Sequence, residues 1–274
     1  MKLRQLFLAC LTPLVLLGGG CETKGQSLDS VQPGTTGQAL TSATNTGRNM
    51  MAGIIGAAPL VENDRLHDYV NRVGHWVALQ SGRPDLRWTF AVLDTPHINA
   101  FAAPGGYIAI TLGYYQLLQT EDQLAAVLAR QIAHVDQRHP SSALEQLIPA
   151  ASLKALQQDA DKLPRKDIHQ PLKQALQLYV HGFYPGFEFT ADREAMTLTT
   201  RAGYDPFALL DVLITLSSID PGDDSVRLML ATRPEFSQRI ENLAILGDRH
   251  FANFEIVEPG DRLRRINLEI ARQP

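Results

Sequence analysis

Cysteine is scarce in this chain: only Cys10 and Cys21 occur among 274 residues. Cys10 lies in an N-terminal apolar run that follows two basic residues, and Cys21 comes directly after three glycines. This pattern predicts a lipoprotein signal peptide over residues 1–20, with cleavage before Cys21 and lipidation of its thiol. The alternative is a signal cut by ordinary signal peptidase. In either case the mature chain would contain no disulfide, even in an oxidising compartment.

Basic residues are also in short supply, with 25 Lys and Arg against 29 Asp and Glu and a net charge of −4. An acidic chain without a basic stripe does not favour a nucleic-acid partner. The N-terminal apolar run is too short to span a bilayer comfortably, so we expect membrane attachment through the lipid on Cys21. The expected location is the bacterial cell envelope, on the periplasmic face of a membrane. Glu22 directly after Cys21 favours the outer membrane.

Large apolar residues are nearly missing from residues 21–46, whose Gly, Ser, Thr and Gln predict a flexible tether. The remaining chain divides into a main domain over 47–250 and a tail over 251–274, for which we expect a short strand and a helix. Hydrophobic periodicity predicts an α+β domain that is mostly helical, with a small β-sheet early in the chain. Strands are predicted at 86–93, 98–103 and 107–111. Helices are predicted at 48–60, 62–80, 113–119, 121–139, 141–157, 167–182, 187–203, 206–216 and 234–247.

The helix at 121–139 organises the domain. Apolar residues recur at helical spacing from Leu124 to Val135, so one face is expected to pack into a core. On such a helix, H-E-x-x-H binds zinc through two His one turn apart, with the Glu as general base. The five corresponding positions here read Arg130-Gln131-Ile132-Ala133-His134.

Three blocks of sequence resemble metallopeptidase family 48, a family of zincins. The first is Asn99 to His139, which contains N-A-F-A-A-P-G-G-Y-I and the helix above. The second is E-F-T-A-D at 188–192 with R-A-G-Y-D-P at 201–206, and the third is T-R-P at 232–234 with R-I at 239–240. The resemblance implies a zincin-like metallopeptidase domain with an active-site helix. It also implies that Glu188 corresponds to the third zinc ligand.

The residues that depart from the family pattern are those expected to bind zinc and to catalyse hydrolysis. Arg130 stands at the first His ligand, and a protonated guanidinium has no lone pair for zinc. Gln131 stands at the catalytic Glu, and a carboxamide cannot take a proton from water. His134 and Glu188 remain, but they are fewer than the three protein ligands of a catalytic zinc site. We expect Asp192 and Arg233 to lie just outside these ligand positions.

Arg130 has two interpretations. It is either a solvated helix residue at a lost ligand position, or a fixed charge that pairs with Glu188 or Asp192 across the former metal site. The second is favoured, because Glu188 in a closed cleft without a cation carries a desolvation cost of several kcal/mol. A structural role is expected for His139, and His169 and His181 are weak candidates for ligands.

The resemblance also implies a peptide-binding strand made by Ala100, Phe101, Ala102, Gly105 and Gly106. In zincins an edge strand beside the metal helix receives substrate by strand addition.

The leading hypothesis is therefore a pseudo-peptidase lipoprotein that binds a peptide or an envelope protein without hydrolysis and needs no cofactor. The alternative is an active zinc metalloendopeptidase in envelope protein quality control that uses atypical ligands. A third possibility is an envelope protein that keeps the fold only for stability.

Overall fold

The computed structural model describes residues 33–232, 235–251, 254 and 262–271. It is mostly helical with one three-stranded sheet, as the hydrophobic pattern predicts. The helices are α1 Pro33–Ala57, α2 Asp64–Ala78, α3 Leu112–Leu117, α4 Glu121–Asp136, α5 His139–Leu147, α6 Ala150–Leu156, α7 Arg165–His181, α8 Pro185–Arg201, α9 Ala208–Ser217, α10 Arg227–Thr232, α11 Phe236–His250 and α12 Arg262–Ala271. The strands are β1 Thr89–Leu93, β2 Ala100–Ala103 and β3 Tyr107–Thr111. No helix in these described ranges has the length and apolarity needed to cross a bilayer.

The sheet has the order β1-β3-β2, with β1 parallel and β2 antiparallel to the central β3. The turn Pro104–Gly106 joins β2 to β3, and both of its glycines have positive φ, 77° and 93°. Residues other than glycine rarely adopt this backbone conformation, so the sequence Pro-Gly-Gly favours a tight connection here. Among the strands of the described residues, β2 therefore lies at one edge of the sheet.

Helix α4 lies at the centre of the domain. Thr120 caps its first turn by accepting a hydrogen bond from the Gln123 amide at 3.2 Å. Every residue from Leu124 to Val135 is buried, so the expectation of a single buried face was wrong. The reason is that α2, the sheet, α8 and α9 all pack against α4. A helix buried all round can hold polar side chains only where they meet partners inside the protein.

Two helix boundaries differ from the sequence-based prediction. Helix α4 stops at Asp136 because Arg138 adopts a left-handed conformation, φ 59° and ψ 23°, which turns the chain directly into α5. The helix predicted over 141–157 is divided at Ile148, which is extended because it precedes Pro149. The turn at Arg138 brings His139 back towards α4, with consequences for the site.

The prediction of a flexible tether up to residue 46 was wrong for its second half. Helix α1 begins at Pro33, and Thr46 and Asn49 on it are buried. The Asn45 side chain donates to the carbonyl of Gln157 at 2.9 Å. Helix α1 lies directly on the turn Pro104–Gly106 and contacts it extensively. Its small residues, which are also typical of linkers, permit this close approach. Residues 1–32, including Cys21, lie outside the described residues.

The C-terminal part of the chain adds two short helices, of which the sequence pattern predicted one. Helix α10 was not predicted, because its six residues are too short for a clear period. Helix α12 agrees with the helix expected in the tail, and it docks through Arg262 on Glu121 and through Asn267 on Tyr115. The strand expected in the tail falls outside the described residues.

Candidate functional site

Arg130 joins α4 to α8 through two carboxylates. Its Nε donates to Asp192 Oδ1 at 2.8 Å, and a terminal nitrogen of the guanidinium donates to Glu188 Oε2. The pairing expected from the sequence is present, and both candidate acids take part in it. The exposed fractions are 4% for Arg130, 1% for Glu188 and 2% for Asp192. The interpretation of Arg130 as a solvated helix residue was therefore wrong.

A second arginine completes the charge balance. Arg239 on α11 donates to Asp192 Oδ2 at 2.7 Å and to Asp192 Oδ1 at 2.8 Å. Burial alone would raise the pKa of Asp192, but the two guanidinium groups outweigh it and hold the pKa below its usual range. Glu188, Arg130, Asp192 and Arg239 thus form a buried chain of alternating charge with no net charge.

Sequence reasoning did not include Arg239 among the site residues. A signal was present, because Arg239 shares the buried face of α11 with Phe236, Leu243 and Gly247. An arginine within an apolar stripe predicts a buried acidic partner. Its acid, Asp192, lies 47 residues away in sequence, so the pattern gives no means of identifying it.

His134 lies beside the charge chain. Its Nε2 is 3.9 Å from Glu188 Oε1, and its Nδ1 is 3.1 Å from Nδ1 of His139. Phe183 stacks on the His134 ring at 4.6 Å between centroids, and Phe187 stacks on His139 at 4.2 Å. His134 and Glu188 therefore still face one another.

His139 is closer to the site than a continuous helix would allow. A continuous helix would place His139 well round from the face that carries His134, but the turn at Arg138 follows the end of α4 and redirects the chain. Burial and then the positive charge of Arg130 lower the pKa of His139 to about 4. The ring is therefore neutral at pH 7, and one of the two imidazoles donates to the other through Nδ1.

Gln131 and His134 border a small cavity that also touches Arg130, Glu188 and Phe101. Its volume is about 20 Å³, enough for roughly one water molecule. Gln131 itself is 2% exposed. This cavity is therefore too small for a peptide.

No other described strand pairs with the outer edge of β2, and a side chain from α7 covers part of that edge. The Tyr179 hydroxyl donates to the carbonyl of Ala102 at 3.0 Å, and its ring packs edge-on against Phe101 at 5.2 Å. Ala100 and Ala102 direct their backbone groups away from β3, because residues alternate along an antiparallel pair and the Asn99 carbonyl binds Thr111 of β3. Strand addition at Ala102 would have to displace Tyr179.

Two residues expected on the peptide-binding strand lie elsewhere. Gly105 and Gly106 form the turn after β2 and are buried. A Cβ at Gly105 would lie 2.6 Å from the Cα of Thr44, so α1 packs directly over this turn. The prediction that these glycines contact a peptide was therefore wrong. Ala100, Phe101 and Ala102 do lie on β2.

Of the other candidates from the sequence, His169 is the one whose side chain the structure describes. His169 is exposed on α7. Arg233 and the side chain of His181 fall outside the described residues.

The profile of peptidase family M48 matches residues 64–246, which include β2, α4 and the Glu188 segment of α8. The chain belongs to peptidase family M48. It is 26% identical over 221 residues to the beta-barrel assembly-enhancing protease of Escherichia coli K12, covering 76% of this chain and 45% of that protein. It is 28% identical over 175 residues to the mitochondrial metalloendopeptidase OMA1 of Schizosaccharomyces pombe, covering 64% and 51%. A shorter match, 35% over 88 residues, relates it to a putative beta-barrel assembly-enhancing protease of Vibrio cholerae, covering 32% and 18%. The chain spans about half or less of the length of these relatives.

Membership of this family of peptidases raises the question of whether the side chains present fit a zinc ion. His134 and Glu188 supply two possible metal ligands. Arg130, one turn before His134 on α4, places its guanidinium against Glu188. Within the described residues, no three His, Cys, Asp or Glu side chains are grouped to hold a metal. A catalytic zinc needs three protein ligands, and Arg130 places a positive charge against the same Glu188. The residues at this site do not fit zinc.

Proposed function

We propose that this member of peptidase family M48 is a pseudo-peptidase that binds extended polypeptide without hydrolysing it. The observation that carries the proposal is the buried contact between Arg130 and Glu188. The positive charge that Glu188 requires is supplied by the chain itself, and the second acid, Asp192, is shared with Arg239.

Gln131 supports the same proposal through the chemistry of proton transfer. Peptide hydrolysis by a zinc peptidase needs a base that takes a proton from the attacking water. Gln131 lies on the cavity wall, and its carboxamide cannot accept that proton. A catalytic base works best when its pKa lies near the working pH. The pKa of His139 is about 4, so this ring is too weak a base to replace the missing carboxylate near neutral pH. Substrate binding without turnover is therefore the proposed activity.

We also propose that the protein works in the cell envelope, attached to a membrane through a lipid on Cys21. The partners proposed are peptides or envelope proteins, and no cofactor is required. Two of the relatives are named for enhancing beta-barrel assembly. This name supports an unfolded or partly folded envelope protein as the class of partner.

The competing function is an active zinc metalloendopeptidase with atypical ligands, which the family match favours. A factorial set of variants separates the two: Arg130→His, Gln131→Glu and the double variant, each assayed for bound zinc and for cleavage of labelled casein. We expect no zinc and no cleavage for the wild type or for Gln131→Glu, because Arg130 remains. Arg130→His should gain about one zinc per chain, and only the double variant should gain chelator-sensitive cleavage. Casein cleavage by the wild type that chelation abolishes would overturn the proposal.

A further inference from the structure

A large groove lies beside the small cavity at Arg130. The Phe101 and Tyr179 side chains border both spaces. Its volume is about 830 Å³, against about 20 Å³ for the cavity at Arg130. The groove is formed by the end of α1, the loop from β1 to β2, the last turns of α7 and the start of α10. We call it the lateral groove. Its volume is large enough for a ligand.

The lateral groove is lined mainly by hydrocarbon. Ile54, Leu176, Val180 and Leu228 supply aliphatic walls, with Phe101 at the inner end. Val180 is 52% exposed and Leu228 is 38% exposed, so two large apolar side chains at the rim remain in contact with water. Covering them with an apolar group would be favourable at roughly 25 cal/mol per Å².

The charges at the rim indicate which apolar ligand fits. Asp94 is exposed there and makes no ion pair with any described side chain. Asp224 also lies at the rim, but it pairs with Arg227, so those two charges cancel. The excess charge is therefore negative. It favours a ligand that carries a positive group next to its apolar part and disfavours a fatty acid, whose carboxylate would meet Asp94.

We infer that the lateral groove binds a polypeptide segment in which large apolar side chains are followed by a Lys or Arg. The inference rests on the proposed function, because it names the class of polypeptide bound. The apolar side chains enter between α1 and α7, and the basic side chain lies against Asp94. This mode needs no added strand on β2, so the hydrogen bond from Tyr179 to Ala102 stays in place.

The test uses the full-length protein and fluorescein-labelled 12-residue peptides with a Gly-Ser background, followed by fluorescence anisotropy. The three peptides contain Leu-Phe-Leu-Arg, Leu-Phe-Leu-Asp or Ser-Ser-Ser-Arg at the centre. We expect the first to bind at least tenfold more tightly than the last, and the Asp peptide to bind with intermediate affinity. Palmitate should not displace the first peptide.

Two matched variants locate the binding. Val180→Asp puts a charge in the groove wall and should weaken binding of the Leu-Phe-Leu-Arg peptide at least tenfold. Ile214→Asp changes a side chain of similar exposure, 49%, on α9 away from the groove, and binding should be unchanged. Asp94→Asn should weaken the Arg peptide about threefold and leave the Asp peptide no weaker, as expected for an exposed ion pair.

The outcomes separate this inference from the proposed function. If Val180→Asp and Ile214→Asp affect peptide binding equally, the peptide does not bind in the lateral groove. The proposed function as a peptide-binding pseudo-peptidase would then stand, but this inference would not. Displacement of the peptide by palmitate would overturn a polypeptide ligand in favour of a lipid. No binding of any peptide to the wild type would contradict both the groove and the proposed binding function.

Discussion

At the scale of single residues, Arg130 and Glu188 are coupled because both side chains are buried. The side chain of Arg130 is 4% exposed and that of Glu188 is 2% exposed. Taking two ions out of water costs several kcal/mol each, and their mutual attraction offsets this cost only while both are present. Removal of Arg130 therefore weakens the electrostatic compensation of both buried acids. Asp192 keeps its two hydrogen bonds from Arg239.

Arg130→Ala should lower the free energy of unfolding by about 3–5 kcal/mol, the cost of breaking a buried ion pair. Gln131→Ala removes a buried but uncharged side chain and should cost about 1–2 kcal/mol. Urea denaturation at pH 7 measures both. The double variant Arg130→Met with Glu188→Gln removes both charges and should be more stable than Arg130→Ala. Equal losses for Arg130→Ala and Gln131→Ala would count against the coupling.

His139 makes stability depend on pH. Its pKa falls from 6.5 in the unfolded chain to about 4 in the folded protein, because burial and Arg130 disfavour the charged ring. The unfolded chain therefore binds more protons between these two values, so the free energy of unfolding should drop as the pH falls from about 6.5 to 4. The expected loss is on the order of 2–3 kcal/mol. Below pH 4 the lowered pKa of Asp192 adds a further loss.

Denaturation of His139→Phe over pH 7 to 4 tests this assignment. The substitution keeps an aromatic ring beside Phe187 and removes the titrating group, so the stability profile should be flatter than that of the wild type. His97→Phe, at an exposed position, is the control and should keep the wild-type slope. A profile for His139→Phe as steep as the wild type would show that other groups govern the acid sensitivity.

At the scale of secondary-structure elements, α1 is held on the domain by close packing at Gly47. A Cβ at Gly47 would lie 1.7 Å from the Pro104 carbonyl oxygen, whereas one at Gly37 would have no atom within 4 Å. Both glycines are in the same helix, so their helix propensities are comparable. Substituting each glycine with alanine therefore separates the effect of close packing from the effect of helix propensity.

Gly47→Ala should destabilise the protein by several kcal/mol or detach α1, because the obstacle is backbone and cannot move aside. Gly37→Ala should stabilise it by up to about 1 kcal/mol through helix propensity. Thermal unfolding and protease sensitivity of residues 33–57 measure the two effects. Similar melting temperatures for both variants would mean that α1 is not docked on Pro104–Gly106.

The same elements show how far the sequence predicts this molecule. The spacing from Leu124 to Val135 predicts α4, and the alternation before residue 93 predicts β1, because local periodicity reflects burial. A helix was predicted from residue 48, but the part of α1 before it was missed because small residues indicate either a linker or a close helix contact, and composition cannot separate the two. At the site, the pairing of Arg130 follows from the family pattern, since the pattern aligns it opposite Glu188. Tyr179 and Arg239 were missed because their partners are distant in sequence and only the fold brings them together.

At the scale of the whole molecule, the proposed envelope location depends on the N-terminus. Cys21→Ser should abolish lipidation and move the expressed full-length protein from the membrane fraction to the soluble fraction. Cys10→Ser, within the expected signal, should leave it with the membrane. Detergent phase partition measures both. Retention of the Cys21→Ser protein on the membrane would contradict a lipid anchor at this residue.

We propose that the chain supplies its own cation where a peptidase of this family would hold zinc. This is tested by the zinc content of the purified, tag-free mature protein, measured by elemental analysis after incubation with zinc and removal of the excess. We expect far less than one zinc per folded chain, with no change on His134→Ala or Glu188→Ala. Stoichiometric zinc that either substitution removes would overturn the proposal, because Arg130 would then have to leave Glu188 when the metal binds.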